Sequence, residues 1–306
     1  MSSRIQALLG VEIPIVQAPM TFIAGAQLAA AVSEAGALGI IETASPQGRA
    51  DVKRVRDLTD KPVGANIAIT MKQYEGIIDV LTDAGITTVT TSAGDPAILT
   101  SLLHDAGITV FHVVGTLRAA QKAQHAGVDG LIVEGVEGGG FKNRNGASTM
   151  VLLPLVAAQT DLPIIAAGGI CDATSMAAAF VLGAEGVQMG TRMLASTESP
   201  VHDGFKNAVV ANHDLGTVLI SPPGMPTMRV LATQRSAETA LTGDPGDGLS
   251  QVLKLYFDGD LEASFANLGQ VSSRITEIQP VAAILRQMWE GAVAALDAGR
   301  DRLATR

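Results

Sequence analysis

Two glycine-bearing turns are the clearest chemical feature of this sequence. Gly168 and Gly169 end one apolar run, and Gly190 and Thr191 end the next, each before a segment of helical character. Glycine lets the backbone approach a ligand closely, and N–H groups at the start of a helix hold anions. We therefore predict a phosphate site shared by the two turns, with tight turns that bind nothing as the alternative.

A long polar loop, residues 134–146, is the second candidate. It carries Glu134, a run of glycines, Phe141 and Lys142, and loops of this length are usually functional. His112 lies in an apolar run and could line the same site; burial in the strand wall is an equally good interpretation. The remaining histidines lie near expected helix ends and have a structural interpretation: His104, His125, His202 and His213.

Several classes of protein are disfavoured by what the sequence lacks. No residues have the spacing of metal ligands, so no metal site is predicted. The net charge of −9 argues against a nucleic-acid partner. Cys171 is the single cysteine, which excludes an internal disulfide, indicates a reducing compartment and favours a small buried residue over a nucleophile.

The N-terminal residues lack the apolar core of a signal peptide, and no apolar run reaches about 18 residues, so no membrane span is expected. We expect a cytoplasmic protein that acts on a small-molecule substrate, and a homo-oligomer is compatible with the sequence.

Short apolar runs alternate with helix-like segments along most of the chain. Several of these segments end in glycine, which favours the left-handed conformation that terminates a helix. Because the runs are nearly continuous rather than alternating, they indicate parallel strands covered on both faces. A (β/α)8 barrel (a TIM barrel of the α/β class) is therefore predicted, with an open doubly wound sheet as the alternative. The runs are Pro14–Met20, Leu38–Thr43, Pro62–Ile69, Thr87–Ser92, Thr109–Val114, Asp129–Gly135, Pro163–Gly169 and Gly186–Leu194.

The pattern changes after the last run. We predict a barrel over 1–223 that is completed by 266–306, and a small, mostly helical cap over 224–265. Prolines at 222, 223 and 226 would stiffen the entry to the cap. A cap beside the barrel mouth would shape the substrate site; a surface decoration is the alternative. A last amphipathic helix is expected over Ile278–Leu296.

The motifs together resemble the nitronate monooxygenase family, formerly called 2-nitropropane dioxygenases. That family includes FMN-dependent enoyl-ACP reductases and NADH:quinone reductases. The resemblance runs from Pro14 to about Ala283. Its motifs are Gln17-Ala18-Pro19-Met20, Gly64-Ala65-Asn66, Ala166-Ala167-Gly168-Gly169-Ile170, Gln188-Met189-Gly190-Thr191-Arg192 and Gly269-Gln270.

The resemblance implies FMN as cofactor and gives the matching residues their roles. Ala18, Pro19 and Met20 would lie along the flavin ring. Asn66 would bond the isoalloxazine or ribityl region, and Glu134 would lie near the ribityl chain. The FMN phosphate would be held by Gly168, Gly169, Gly190 and Thr191. The family commonly carries its proposed catalytic base, a histidine, at the position of Phe141 in this chain.

Three functions fit these observations. The first is a flavoprotein monooxygenase that oxidises alkyl nitronates with O2. The second is an FMN-dependent reductase that uses NAD(P)H and acts on an enoyl thioester or a quinone. The third is a barrel without flavin. Since Phe141 cannot accept a proton, His112, Lys142 and Glu134 are the candidates for proton transfer, with His112 the first choice because a strand residue is held more rigidly.

Overall fold

A barrel of parallel strands forms the centre of the molecule. The computed structural model describes residues 3–72, 74, 76–244 and 248–304. Within them the barrel strands are β1 (Ile15–Gln17), β2 (Gly39–Glu42), β3 (Val63–Ala68), β4 (Thr88–Ser92), β5 (Thr109–Val114), β6 (Gly130–Glu134), β8 (Ile164–Ala167) and β9 (Gly186–Met189). They are hydrogen-bonded in the order β1-β9-β8-β6-β5-β4-β3-β2, and a bridge between Val16 and Leu38 returns to β1. The predicted (β/α)8 fold is confirmed.

Helices surround the barrel and end where the glycines predict. Gly36, Gly85, Gly107, Gly127 and Gly183 all follow helices with positive φ. One predicted strand was too long, because the run Gly186–Leu194 turns into a short helix after Gly190. The helices are α1 (Arg4–Leu9), α2 (Ala26–Glu34), α3 (Pro46–Arg54), α4 (Ile77–Asp83), α5 (Thr100–Asp105), α6 (Leu117–His125), α7 (Thr149–Ala157), α8 (Ala173–Val181), α9 (Thr191–Leu194), α10 (Asp203–Val210), α11 (Gln234–Thr242), α12 (Leu249–Leu253) and α13 (Val281–Ala304).

The seam between β1 and β2 is closed partly by a side chain. Gln17 is fully buried, and its Oε1 accepts a hydrogen bond from the Ile40 N–H at 3.2 Å. The backbone N–H of Gln17 donates to the Leu38 carbonyl at 2.9 Å. The carboxamide thus takes the place of a missing ladder bond, since a buried backbone N–H needs a partner.

The lower part of the barrel is filled with apolar side chains. Residues two apart along a strand share a face. The inward-facing residues form one buried cluster, to which α1 contributes Ile5 and Leu9. Because this floor is packed, a ligand can enter only at the opposite end, where the strands finish. The cluster contains Ile5, Leu9, Val16, Leu38, Ile40, Phe111, Ile132, Ile165 and Ala167.

A small antiparallel sheet lies outside the barrel. Its strands are β7 (Gly140–Phe141), β10 (Thr217–Ile220) and β11 (Met228–Leu231), in the order β10-β11-β7. The segment 224–265, which we predicted to be a mostly helical cap, contains α11 and α12 and also supplies β11. Since β7 comes from the loop after β6, this sheet joins the cap to that loop. No helix of the described residues is long and apolar enough to cross a membrane.

Candidate active site

Polar side chains replace the apolar floor at the carboxyl ends of the strands. Glu42 and Glu134 each follow an inward-facing residue of the floor by two positions, so they face inward as well. Asn66 is in register with Glu42 on one side and Thr90 on the other. The barrel mouth therefore has a polar lining above a dry core, which is where a barrel enzyme carries its site.

Asn66 is held firmly in this lining. Its Nδ2 donates to the Thr90 carbonyl at 2.9 Å and to Thr90 Oγ1 at 3.0 Å. Because the amide hydrogens bond Thr90, Oδ1 is the atom with acceptor capacity left for a ligand, although it also accepts from the Ser92 hydroxyl at 3.5 Å. The Glu42 carboxylate, in contrast, accepts hydrogen bonds from backbone N–H groups, that of Phe22 at 3.2 Å and that of Ser45 at 3.0 Å.

Gln188 is a polar residue of the mouth that sequence reasoning quoted only as part of a motif. It is 6% exposed, and its Oε1 is buried without a hydrogen-bond partner in the described structure. A buried acceptor without a donor is costly unless a ligand supplies one. A polar residue within an otherwise apolar strand was the signal that could have identified it.

The predicted phosphate turns lie side by side. Gly168 and Gly169 follow β8 with φ of 81° and 79°, and the neighbouring β9 leads into Gly190. A Cβ atom on Gly190 would lie 3.5 Å from Ala18 Cβ and 3.7 Å from Met20 Sδ. The structure thus brings together the turns after β1, β8 and β9, which carry most of the residues predicted to hold the cofactor.

Lys142 and Glu134 form an ion pair beneath the loop after β6. Lys142 Nζ lies 2.7 Å from Glu134 Oε1 and also donates to the carbonyls of Gly139 at 3.1 Å and Phe141 at 3.0 Å. The Lys142 side chain is only 4% exposed. All three ammonium hydrogens therefore have acceptors, and Glu134 has a cationic partner.

Phe141 lies at the rim, opposite Met228 in the β7–β11 pair. Its side chain is 61% exposed. The main chain around it is fixed, because the Lys142 N–H donates to the Thr227 carbonyl at 2.9 Å. Phe141 therefore presents an exposed apolar ring, which cannot accept a proton.

His112 does not reach the mouth. It is in register with Thr91 and Leu131, and Leu131 belongs to the cluster that the barrel forms with the helices. Its Nδ1 is 2.8 Å from Thr91 Oγ1, and the ring is 4% exposed. Burial, aided by Lys122, lowers the pKa of His112 to about 4, although Asp95 opposes the shift. The strand position of His112 faces the helices, which supports the wall interpretation, and a role for His112 in proton transfer stays a prediction.

The structure gives no metal site among the described residues, since no cluster of three or more potential ligands occurs there. Cys171 is buried, two residues after the turn glycine Gly169. Burial raises the pKa of its thiol to about 11. The thiol therefore stays protonated at neutral pH, which fits a small buried residue rather than a nucleophile.

Comparisons with known proteins show what this chain resembles. The family model described as nitronate monooxygenase matches residues 2–76 and 68–291. The nitronate monooxygenase of Pseudomonas aeruginosa is 30% identical, over 80% of this chain and 84% of that protein. The (3aS,4S,5R,7aS)-5-hydroxy-7a-methyl-1-oxo-octahydro-1H-indene-4-carboxyl-CoA dehydrogenase of Mycobacterium tuberculosis is 35% identical, over 81% of this chain and 70% of that protein.

Solved structures extend the similarity over nearly the whole chain. FabK from Thermotoga maritima has a TM-score of 0.90 and 34% identity, with 99% of both chains covered. Nitroalkane oxidase from Streptomyces ansochromogenes has a TM-score of 0.82 and 26% identity, with 97% of this chain and 99% of that chain covered. The similarity therefore includes both the barrel strands and the segment 224–265.

Proposed function

This chain belongs to the nitronate monooxygenase family, and on that premise we propose that it is an FMN-dependent enzyme that oxidises alkyl nitronates with O2. It is an oxidoreductase, and enzymes of its family are in general FMN-dependent flavoenzymes. The observation that carries the proposal is a polar, glycine-lined barrel mouth without an available proton acceptor at Phe141.

The mouth fits a flavin mononucleotide. Gln188 supplies a buried acceptor that lacks a donor, and the adjoining turns after β8 and β9 carry glycines, which let a ligand approach the backbone closely. When bound, FMN would accept electrons from the substrate and pass them to O2. By the family pattern, Ala18, Pro19, Met20, Asn66 and Glu134 would contact the ring and ribityl chain, and Gly168, Gly169, Gly190 and Thr191 the phosphate.

The protein residues at the mouth favour a substrate that has already lost its proton. Phe141 cannot act as a base, and Lys142 and Glu134 are paired with each other. His112 faces the helices. A neutral nitroalkane must lose an α-proton before oxidation, whereas a nitronate is already an anion. We therefore assign nitronates, rather than nitroalkanes, as the oxidised substrates.

The cofactor proposal is tested by releasing the bound group with heat and identifying it by chromatography. FMN is expected; FAD would contradict the single phosphate site, and absence of flavin would favour a barrel without flavin. In a matched variant, Gly169→Val, the added side chain meets a backbone held at φ of 79°. This variant should purify largely without flavin, and full flavin content would place the phosphate elsewhere.

A reductase is the second candidate function. It is supported by the similarity to FabK and to the CoA-thioester dehydrogenase. In that case NAD(P)H would be the second cofactor and an enoyl thioester or a quinone the acceptor. Anaerobic mixing with NADH or NADPH separates the two functions, because only a reductase should bleach the flavin quickly.

A further inference from the structure

Gly269 lies at the phosphate turn although it is far from it in sequence. Its N–H donates to Thr191 Oγ1 at 3.0 Å, in a buried bond. The next residue, Gln270, donates its N–H to the Glu137 carbonyl at 2.9 Å. The segment before α13 therefore contacts both α9 and the loop after β6.

Glycine is required at 269 by contact rather than by conformation. The residue has φ of −82° and ψ of 158°, which any residue can adopt. A Cβ atom there would lie 2.9 Å from Thr191 Oγ1, 3.1 Å from the Glu137 carbonyl oxygen and 3.3 Å from the Gly139 nitrogen. Since contacts at this distance force neighbours to move, a side chain at 269 would displace the Thr191 hydroxyl or the loop.

The small antiparallel sheet of β10, β11 and β7, which we call the cap sheet, holds Gly269 in this position. The Leu231 N–H donates to the Ala266 carbonyl at 2.8 Å, and the Leu268 N–H donates to the Arg229 carbonyl at 3.3 Å. Val230 and Asn267 form an antiparallel bridge between these bonds. Residues 266–268 thus pair with β11. This pairing places the Gly269 N–H within hydrogen-bond distance of the Thr191 hydroxyl.

The bond from Gly269 determines whether the Thr191 hydroxyl can donate or accept a hydrogen bond to a ligand. A hydroxyl has one hydrogen and two lone pairs, and one lone pair is occupied by Gly269. Within the described residues the hydroxyl has no protein acceptor of its own, although Thr191 is only 9% exposed. Its hydrogen therefore remains for a ligand, and accepting from an N–H strengthens it as a donor.

We propose that Gly269 is a positioning residue for the cofactor phosphate: its N–H holds the Thr191 hydroxyl as a phosphate donor, and the cap sheet sets its place. The inference rests on the proposed FMN cofactor. It gives the cap a part in retaining the cofactor, in addition to any contact with substrate.

The test compares FMN with riboflavin, which lacks the phosphate, by measuring dissociation constants for both. A lost hydrogen bond to a charged group weakens binding by roughly tenfold or more. Gly269→Ala and Thr191→Val should each weaken FMN binding by that factor and leave riboflavin binding within about twofold. The double variant should be no weaker than Thr191→Val, and Thr191→Ser should remain near the wild type.

Equal loss of FMN and riboflavin affinity in Gly269→Ala, or full additivity in the double variant, would overturn the positioning role. A wild type that binds FMN no better than riboflavin would instead overturn the phosphate site itself. Hydrogen exchange of the Gly269 backbone amide tests the bond in variants that leave Gly269 itself unchanged. Its protection should fall in Thr191→Val and persist in Thr191→Ser, and unchanged protection in Thr191→Val would contradict the proposed bond.

Discussion

The ammonium of Lys142 lies 2.7 Å from the carboxylate of Glu134, and the same side chain is 4% exposed. Two of the ionisable groups that the sequence offers near Phe141 are thus paired with each other. Their pairing also connects the end of β6 to the turn that presents Phe141, because Lys142 binds the carbonyls of Gly139 and Phe141.

Removing one partner of this pair should cost more than removing both charges. Lys142→Met leaves Glu134 without its cation in a half-buried site, and we expect a loss of about 2 kcal/mol in the free energy of unfolding. The double variant Glu134→Gln/Lys142→Met should lose less. Urea titrations of the wild type and the variants measure both values, and a double variant less stable than Lys142→Met would contradict the ion pair.

The missing base predicts a preference between two forms of one substrate. The wild type should turn over a preformed alkyl nitronate far faster than the parent nitroalkane. Phe141→His places a proton acceptor at an exposed rim position, so nitroalkane turnover should rise by up to about 10²-fold. Oxygen-consumption assays give both rates. Equal rates for the two forms in the wild type would refute the argument from Phe141.

The barrel seam predicts a stability effect at Gln17. Gln17→Leu keeps a side chain of similar size in the wall but leaves the Ile40 N–H without its acceptor, which should destabilise the protein by about 1–3 kcal/mol. Gln47→Leu serves as a control, since Gln47 is exposed on α3 and its side chain donates to Asp51 within the same helix. Similar unfolding free energies for the two variants would show that the seam bond contributes little.

His112 predicts a pH dependence of stability. Its pKa is about 4 in the fold and near 6.5 ordinarily, so the unfolded chain binds the proton first as pH falls. Neutral His112 therefore contributes roughly 3 kcal/mol to the free energy of unfolding. This stabilisation is complete above pH 6.5 and is lost as the pH falls from 6.5 to 4. His112→Asn can keep a hydrogen bond to Thr91 and should flatten the dependence in that window. An unchanged profile in His112→Asn would assign the titration to other groups.

The barrel was predictable because its signals are local. Apolar runs give the strands, and glycines such as Gly85 and Gly107 end helices through their own backbone preference. The turn glycines 168 and 169 were identifiable for the same reason, whereas Gly190, with φ of −103°, was identifiable only from its place at the end of an apolar run. The small sheet was not, because β7 has only two residues and is stabilised by pairing with β11, which is remote in sequence.

Side-chain direction was the other property that sequence could not give. His112 and Phe111 are neighbours in one apolar strand, and nothing in the run tells which of them faces the barrel interior. Only the register with Leu131 decides it. The roles of Gln188 and Gly269 likewise depend on contacts across the fold, so their motifs could be recognised without an indication of what they do.

Anaerobic mixing of the flavin-loaded protein with a preformed alkyl nitronate tests the central claim most directly. Nitronate should bleach the flavin absorbance within the time of turnover, and admitting O2 should restore it. NADH and NADPH in parallel samples should bleach it slowly or not at all. A flavin that stays oxidised with nitronate but is bleached rapidly by NADH or NADPH would contradict nitronate oxidation and establish the reductase.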